Sequence, residues 1–412
     1  MKDSPSSVIK GHTPLPWRIL AASTVAQTAS AYLVATGAFL IPHLSDPQGP
    51  YQLSLASAGA VAAAVTGGLM ITLVAWGVLV DRIGERTVLL LGSGPGAATM
   101  LSPAAIQLTT STSLTVVALA IALFFGGIAA ASANTASGRL IIGWFPMHRR
   151  GVAMGVRQMA QPLGVALAAI TIPPAAHSAG AITTLLLPAA LSVVALLVVA
   201  TWVRDPARPS RQGTEGIALG SNPYRNKAGL WRIHAAAVLL VVPQFTVWTF
   251  ALVWLIGELG WSALTAGAFV GATQLAGAGG RVGAGIWSDR VGSRTNPMRI
   301  IAICAAIVMA GLAVTDYFGI AIVAVALLVV ASVVTVADNG LAYTAAAEIA
   351  GPFWGGRVLG IHNTAQNALG TAVPPSIGAL IAVAGFPAAF AAAALFAIAA
   401  IPAIPRTIDT RE

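Results

Sequence analysis

Apolar residues in this chain do not alternate with polar ones at the period of a surface helix or strand. They run on in long stretches, broken by short polar or Gly/Pro-rich segments. A helix crossing a bilayer needs about 20 mostly apolar residues. Cutting the sequence at its breaks gives twelve such stretches, at about 18–43, 53–80, 87–108, 113–143, 152–176, 181–203, 232–257, 262–288, 299–316, 319–346, 357–383 and 386–404. The breaks include 45–52 (SDPQGPYQ), 81–86 (DRIGER), 145–150 (FPMHRR), 257–262 (GELGWS) and 288–294 (SDRVGSR). The longest polar stretch falls near the middle of the chain. The pattern predicts an all-α polytopic membrane protein with twelve transmembrane helices in two six-helix bundles. The N-terminal bundle takes residues 1–203, a cytoplasmic linker 204–231, and the C-terminal bundle 232–412.

Composition and charge support this reading. Of 412 residues 57% are hydrophobic and 8% charged, against roughly 25% charged in an ordinary soluble domain. That excludes a soluble enzyme and a disordered or fibrous protein. Numbering the breaks alternately places Lys2, Lys10, Arg18, Arg82, Arg86, Arg149, Arg150, Arg204, Arg208, Arg211, Arg225, Lys227, Arg232, Arg290, Arg294, Arg299, Arg357, Arg406 and Arg411 on one side and no basic residue on the other. The positive-inside rule makes the loaded side cytoplasmic, with both termini. The net charge of +9 is therefore a topology signal rather than a mark of a nucleic-acid partner. Residues 1–16 are polar, and the apolar stretch after them exceeds a signal-peptide core, so it reads as a retained first span. The single cysteine, Cys304, permits no internal disulfide, the six histidines have no metal-ligand spacing, and no Walker A sequence is present. No metal and no cofactor is implied, and energy must come from an ion or substrate gradient.

The chain repeats itself. Gly77-Val-Leu-Val-Asp81-Arg82-Ile-Gly84-Glu-Arg86 returns 208 residues later as Gly285-Ile-Trp-Ser-Asp289-Arg290-Val-Gly292-Ser-Arg294. At an offset of 205, Gly151 and Gly155 match Gly356 and Gly360, Asn134 matches Asn339, Gln161 matches Gln366, and Arg157 matches His362. The halves are parallel, pseudo-symmetric copies. G-x-x-x-D-R-x-G-x-R after spans two and eight resembles the signature loop of the major facilitator superfamily, and Trp144-Phe145-Pro146-x-x-Arg149-Arg150-Gly151 is similar to the segment joining spans four and five there. The resemblance covers the whole chain. It implies a secondary transporter working by rocking-bundle alternating access, in which the loop residues Gly77, Asp81, Arg82, Gly84, Arg86, Gly285, Asp289, Arg290, Gly292 and Arg294 lock the outward-facing state.

These residues also have a physical reading. Gly77 and Gly285 allow close helix approach, and Gly84 and Gly292 a turn with positive φ. Asp81 and Asp289 can face the positive N-terminus of a neighbouring helix. Glu348 could pair with Arg290 or Arg294; its counterpart in the first half is Gly143, where the superfamily commonly carries an acid. Alternatively, the loops only stabilise fold and topology.

Charged residues inside the membrane are functional candidates. Arg281, eight residues before Asp289, has Leu73 as its repeat partner, so fold symmetry does not account for it. A guanidinium in low dielectric offers a fork for a carboxylate. In monocarboxylate and oxalate-type carriers of the superfamily a similarly placed arginine binds substrate, although a long side chain can instead snorkel to the surface. On span five, Arg157, Gln158 and Gln161 share adjoining faces; on span eleven the copy reads His362, Asn363, Gln366 and Asn367. The two stripes either line a central cavity or glue helices together, with Asn134, Gln27 and Trp248 as further candidates. Asp338, at mid-depth, is a candidate proton carrier or a structural partner of Arg281. Arg139 reads as snorkelling or capping the end of span four.

The sequence thus predicts a proton-coupled or exchanging transporter of a small organic or inorganic anion, working as a monomer in a bacterial plasma membrane. The alternative is proton-driven efflux of hydrophobic drugs or metabolites.

Overall fold

In the computed structural model, which describes residues 15–107, 112–207, 221–226 and 228–406, helices and the turns between them account for the described chain. They are α1 (Leu15–Leu44), α2 (Leu55–Ile83), α3 (Glu85–Gln107), α4 (Thr112–Trp144), α5 (Met147–Gln158), α6 (Ala160–Thr184), α7 (Leu186–Trp202), α8 (Pro223–Asn226), α9 (Ala228–Gly257), α10 (Ala263–Val291), α11 (Thr295–Tyr317), α12 (Ala321–Ala337), α13 (Asn339–Ala350) and α14 (Gly355–Ala403). Lys2, Lys10, Arg208, Arg211, Lys227 and Arg411, with the middle of the expected linker, lie outside the described residues.

Among the described residues, eight continuous helical segments are long and apolar enough to cross a bilayer. The remaining crossings are α3, α7, α10 and the last part of α14. The 49 residues of α14 would reach about 74 Å at 1.5 Å per residue, more than twice the ~30 Å hydrocarbon thickness. Gly385, at φ 78° and ψ 175°, breaks it into spans eleven and twelve. Gly180, at φ 82° and ψ 160°, does the same between spans five and six, at the repeat offset of 205. The helix starts repeat as well. Ser54 caps α2 by accepting the Ser57 N–H at 3.1 Å, and Ser262 caps α10 by accepting that of Thr265 at 3.1 Å.

Two spans break at mid-depth, α5/α6 at Met159 and α12/α13 at Asp338. On the first, Pro162 has no N–H to give the carbonyl of Gln158 four residues earlier. That free carbonyl becomes part of the site. Large buried residues pack locally, Leu40, Leu44, Leu119, Leu123 and Ile172 in one cluster and Trp254, Met309, Leu312, Leu328 and Phe390 in another. A further cluster joins Leu20, Ile141, Phe145 and Met154 to Tyr343 and Leu359 from the far end of the sequence. The repeat-related pairs α2 with α14 and α10 with α5 also meet along this seam. The outward surface carries Ile71, Ile170, Ile322 and Val383 exposed, as a chain facing lipid requires.

Candidate functional site

Four helix ends converge where the two repeated turns lie. Asp289 accepts the backbone N–H groups of Gly151 (2.9 Å) and Val152 (2.8 Å) near the start of α5. Asp81 accepts those of Gly356 (2.9 Å) and Arg357 (3.1 Å) at the start of α14. Gly356 and Arg357 are unpaired first-turn donors, Gly151 and Val152 lie one turn into α5, and both helices present the positive end of a dipole there, so a carboxylate is the fitting partner. Each aspartate reaches across the seam into the other repeat. The turns behind them close through Gly84 (φ 96°) and Gly292 (φ 65°).

The backbones touch beside these contacts. A Cβ on Gly285 would fall 2.2 Å from the carbonyl oxygen of Gly151, and one on Gly77 would fall 2.3 Å from that of Gly356. No larger residue fits either crossing as it stands. The next turn repeats the arrangement. Gly155 packs on the carbonyl of Arg281, and Gly360 on that of Leu73. The backbone of Arg281 is thus matched by its repeat partner, and only its side chain is extra.

Charge around the two aspartates is arranged differently. Arg294 lies 2.6 Å from Asp289 and 3.2 Å from Glu348, and it donates to the Met147 carbonyl at 2.6 Å. Burial lowers its pKa, but Glu348 and Asp289 outweigh burial and hold it above the usual arginine value. Arg150 joins from α5, 3.6 Å from Glu348. Of the two arginines considered for Glu348, Arg294 makes the pair and Arg290 is exposed. In the other repeat Arg86 turns outward. Its backbone N–H donates to Asp205 at 2.7 Å and its side chain to the Ala200 carbonyl at 2.8 Å, while Arg82 is exposed. The inner place goes to Arg139, whose Nε lies 3.3 Å from Glu85 and 3.9 Å from Asp81 and which also donates to the Pro352 carbonyl. Arg139 therefore does not snorkel or cap; it is 3% exposed within an ion cluster. Gly143 carries no acid because no room remains, a Cβ there meeting Pro206 at 2.4 Å.

Away from this closed end lies a cavity with about 180 Å³ accessible to water, between spans from both repeats. Gln158 and Gln161 face it from span five, and Asn363, Gln366 and Asn367 from span eleven, together with Gln27, Asn134, Gln244, Asn339 and Tyr343. Arg157 sits in its wall, 2% exposed. Its guanidinium donates to Ser137 (2.9 Å), the Gln158 side chain (2.9 Å), the Asn134 carbonyl (2.8 Å) and the Gln27 side chain (3.3 Å). Its face lies 4.9 Å from the Tyr343 ring centroid. Each of these partners is neutral. The Tyr343 hydroxyl donates to the Asn134 carbonyl across the seam at 3.4 Å and accepts from Asn363.

Three candidates lie outside this lining. Arg281, 2% exposed, is beneath the wall, where it donates to the Gln158 carbonyl that Pro162 leaves free, at 2.7 Å. It feels the opposite charge of Asp338 and the like charge of Arg157, and its Nε and one Asp338 carboxylate oxygen are buried without a hydrogen-bond partner. His362 is fully buried against His234. Trp248 points its indole at Gln274, 2.6 Å away. Tyr343, Ser137, Glu85 and His234 have functional surroundings that the sequence reading did not assign them.

The family model of the Major Facilitator Superfamily matches residues 20–375. The chain belongs to that superfamily. It is 44% identical over 390 residues to the uncharacterized MFS-type transporter Rv2994 of Mycobacterium tuberculosis strain H37Rv, covering 94% of this chain and 84% of that one. Its fold is similar to that of the proton:xylose symporter XylE (TM-score 0.76, 18% identity, 95% of both chains). It is also similar to that of the human organic anion transporter MFSD10 (TM-score 0.71, 16% identity, 95% of this chain and 100% of that one). Family and fold are those of secondary transporters, not of enzymes. The likeness extends to the superfamily and its multi-pass membrane architecture, and not to a monocarboxylate subtype.

For a superfamily transporter the geometry has a direct meaning. Paired aspartates, glycine crossings and ion clusters hold the repeats together at one end, and the polar cavity lies beyond them.

Proposed function

We propose that this chain is a proton-coupled transporter of a small anionic solute, which binds in the cavity beside Arg157. The observation that carries the reading is a buried guanidinium in the cavity wall whose hydrogen-bond partners are all neutral. A buried cation without a counter-ion is costly, and a carboxylate or similar oxyanion entering the cavity offsets that cost with a charge-assisted hydrogen bond. The surrounding glutamines and asparagines supply donors and acceptors for the rest of the solute. Such a lining disfavours the hydrophobic cargo of a drug exporter.

Proton coupling follows from charge. Arg157, Arg281 and Asp338 interact electrostatically and carry +1 together when Asp338 is ionised and +2 when it is protonated. A proton on Asp338 therefore favours an anion in the cavity, and the two bind cooperatively. Arg281 acts as the link through Gln158 rather than as a direct ligand. In this reading the halves 1–203 and 232–412 rock about the 204–231 linker. The reading takes the closed end and both termini to be on the cytoplasmic side of a bacterial plasma membrane, supported by the positive-inside rule. The cavity is complete within one chain, so a monomer suffices.

The test is a thermal-shift screen of purified protein against carboxylates, inorganic anions, neutral polyols and lipophilic cations. A ligand at 100 times its Kd adds about 2.7 kcal/mol of stability. Anions should stabilise the wild type and not Arg157→Gln. Stabilisation by lipophilic cations or polyols alone, or an anion effect unchanged in the variant, overturns the proposal.

A further inference from the structure

The amides around the cavity form one hydrogen-bonded pair in each repeat. In the first, Gln27 on α1 donates through Nε2 to Oδ1 of Asn134 at 3.0 Å. In the second, Asn339, the repeat copy of Asn134, donates through Nδ2 to Oε1 of Gln244 at 3.1 Å. Gln244 lies on α9, the first membrane-spanning helix of its own repeat. Two amides joined by one such bond keep one free oxygen and one free amide nitrogen, whichever way round the side chains are turned. Left to themselves, both walls would offer a solute the same donor and acceptor.

Arg157 removes that equivalence. Its place in the other repeat belongs to His362, which is turned away against His234. Four of the five N–H groups of Arg157 are spent on acceptors. Two of those acceptors are oxygens of cavity amides, Oε1 of Gln27 and Oε1 of Gln158, and Ser137 donates to the first as well, at 3.3 Å. The amide atoms left for a solute on this wall are Asn134 Nδ2 and Gln158 Nε2, both donors, with a cation behind them. On the facing wall the oxygens stay free. Asn363 spends an amide hydrogen on Tyr343 and Asn339 one on Gln244. Among the described residues Oδ1 of Asn339, Oδ1 of Asn363 and Nε2 of Gln244 have no hydrogen-bond partner, and all three residues line the cavity. Gln161 and Gln366 are matched and neutral, so they do not distinguish the walls.

We infer that the solute is a monoanion carrying a neutral hydroxyl or amide at its far end. The Arg157 wall takes the oxyanion, and Gln244, Asn339 and Asn363 take the neutral group. The inference rests on the anionic reading above and narrows its class. A hydroxyl or a primary amide both donates and accepts, as the second wall requires. A dicarboxylate brings only acceptors, and its second charge would face the free oxygens of a wall with no cation among its described residues. An unsubstituted aliphatic acid covers the same oxygens and leaves them unpaired, which is costly. Gln244 and Asn339 thus decide which anions are accepted, while Arg157 decides that an anion is.

The experiment titrates purified full-length protein with propionate to hexanoate, their ω-hydroxy and ω-amide analogues, and the α,ω-dicarboxylates of the same chain lengths, reading affinity from the thermal shift. At the chain length that binds best, the hydroxy or amide analogue should bind about tenfold more tightly than the unsubstituted acid and than the dicarboxylate, since either misfit leaves buried polar groups without partners. Gln244→Met combined with Asn339→Leu removes both members of the pair at once, so no amide of the pair is stranded in the fold. In that double variant the preference should fall to about threefold or less. A wild type that prefers the unsubstituted acid or the dicarboxylate overturns the inference, and so does a double variant that keeps the full preference. The wild-type series decides alone where the double variant does not fold. Failure of every carboxylate to bind, or binding that survives Arg157→Gln, overturns the anionic reading itself, a result distinct from either.

Discussion

Arg139 Nε lies 3.3 Å from the carboxylate of Glu85, two residues that share no repeat relation with Arg294 and Glu348 and yet take the matching place beside the other paired aspartate, Asp81. Arg294 holds Asp289 in one repeat, and Arg139 approaches Asp81 in the other. The two locks are alike in backbone and different in charge. One exposes part of its cluster through Arg150, while the Arg139 and Glu85 side chains are 4% and 0% exposed.

Breaking a buried pair by removing one partner costs roughly 3–5 kcal/mol, because the other charge stays buried. Arg139→Gln should therefore lower the melting temperature more than Arg150→Gln, whose pair with Glu348 is partly exposed and weaker. Melting curves of the two purified variants decide this, and equal shifts would contradict the placement of Arg139.

Asp289→Asn tests the lock rather than the fold. An amide keeps the shape, but only one of its two terminal atoms accepts, so one of the N–H groups of Gly151 and Val152 loses its partner. Hydrogen bonds involving a charged group contribute roughly 1.5–3 kcal/mol each, enough to move a two-state equilibrium by about 10- to 150-fold. Cysteines placed on the cavity wall should become more reactive from the loop side, and the melting temperature should fall as well, because Arg294 keeps Glu348 but loses the charge of Asp289. Unaltered labelling would mean that Asp289 does not hold the gate.

How much of this was legible in the sequence follows from the kind of information each feature needs. Twelve stretches, the repeat and the glycines at 77, 151, 285 and 356 depend on order and spacing along the chain, which the sequence records directly. Depth was legible too, since a helix rises about 1.5 Å per residue; Arg157 and Arg281 do sit a few turns inside. Azimuth was not. One residue turns a helix by about 100°, so His362 faces away from the cavity that its neighbour Asn363 lines. Trp248 finds Gln274 on another helix, and no local pattern marks that. Tyr343 carries no mark in the apolar stretch around it. Its role comes from Arg157 and Asn134, which lie about two hundred positions earlier in the chain.

Asp338→Asn should separate the two gradients. The amide cannot take up a proton, so the charge around Arg281 stays fixed and the cavity becomes permanently more positive. Anion binding should persist or tighten at alkaline pH, where the wild type weakens, and uptake should no longer follow a pH gradient while exchange continues. Ligand-induced melting shifts measured across pH, with uptake and exchange in the same vesicles, check both halves of the statement. A variant still driven by the pH gradient would place the coupling proton elsewhere.

The glycine crossings allow the sharpest test of the closed end. At Gly285 an added methyl group would sit 2.2 Å from the Gly151 carbonyl oxygen, and backbone cannot yield as a flexible side chain can. Overpacking of this kind costs about 1–3 kcal/mol. That cost falls on the state in which α10 and α5 touch, because the methyl group projects into the seam and not into the core of its own repeat. Gly285→Ala should therefore shift the carrier toward the loop-side-open state with little loss of overall stability, the same direction of shift as expected for Asp289→Asn. The double variant should shift it further, by less than the product of the single effects, since both changes weaken one contact. Gly283→Ala, two residues away with no atom within 4 Å of its added methyl group, serves as the control and should leave the equilibrium unchanged. Labelling of a cavity cysteine from each side reads all four proteins. A Gly285→Ala protein that labels like the Gly283→Ala control would show that the repeats do not close on this crossing.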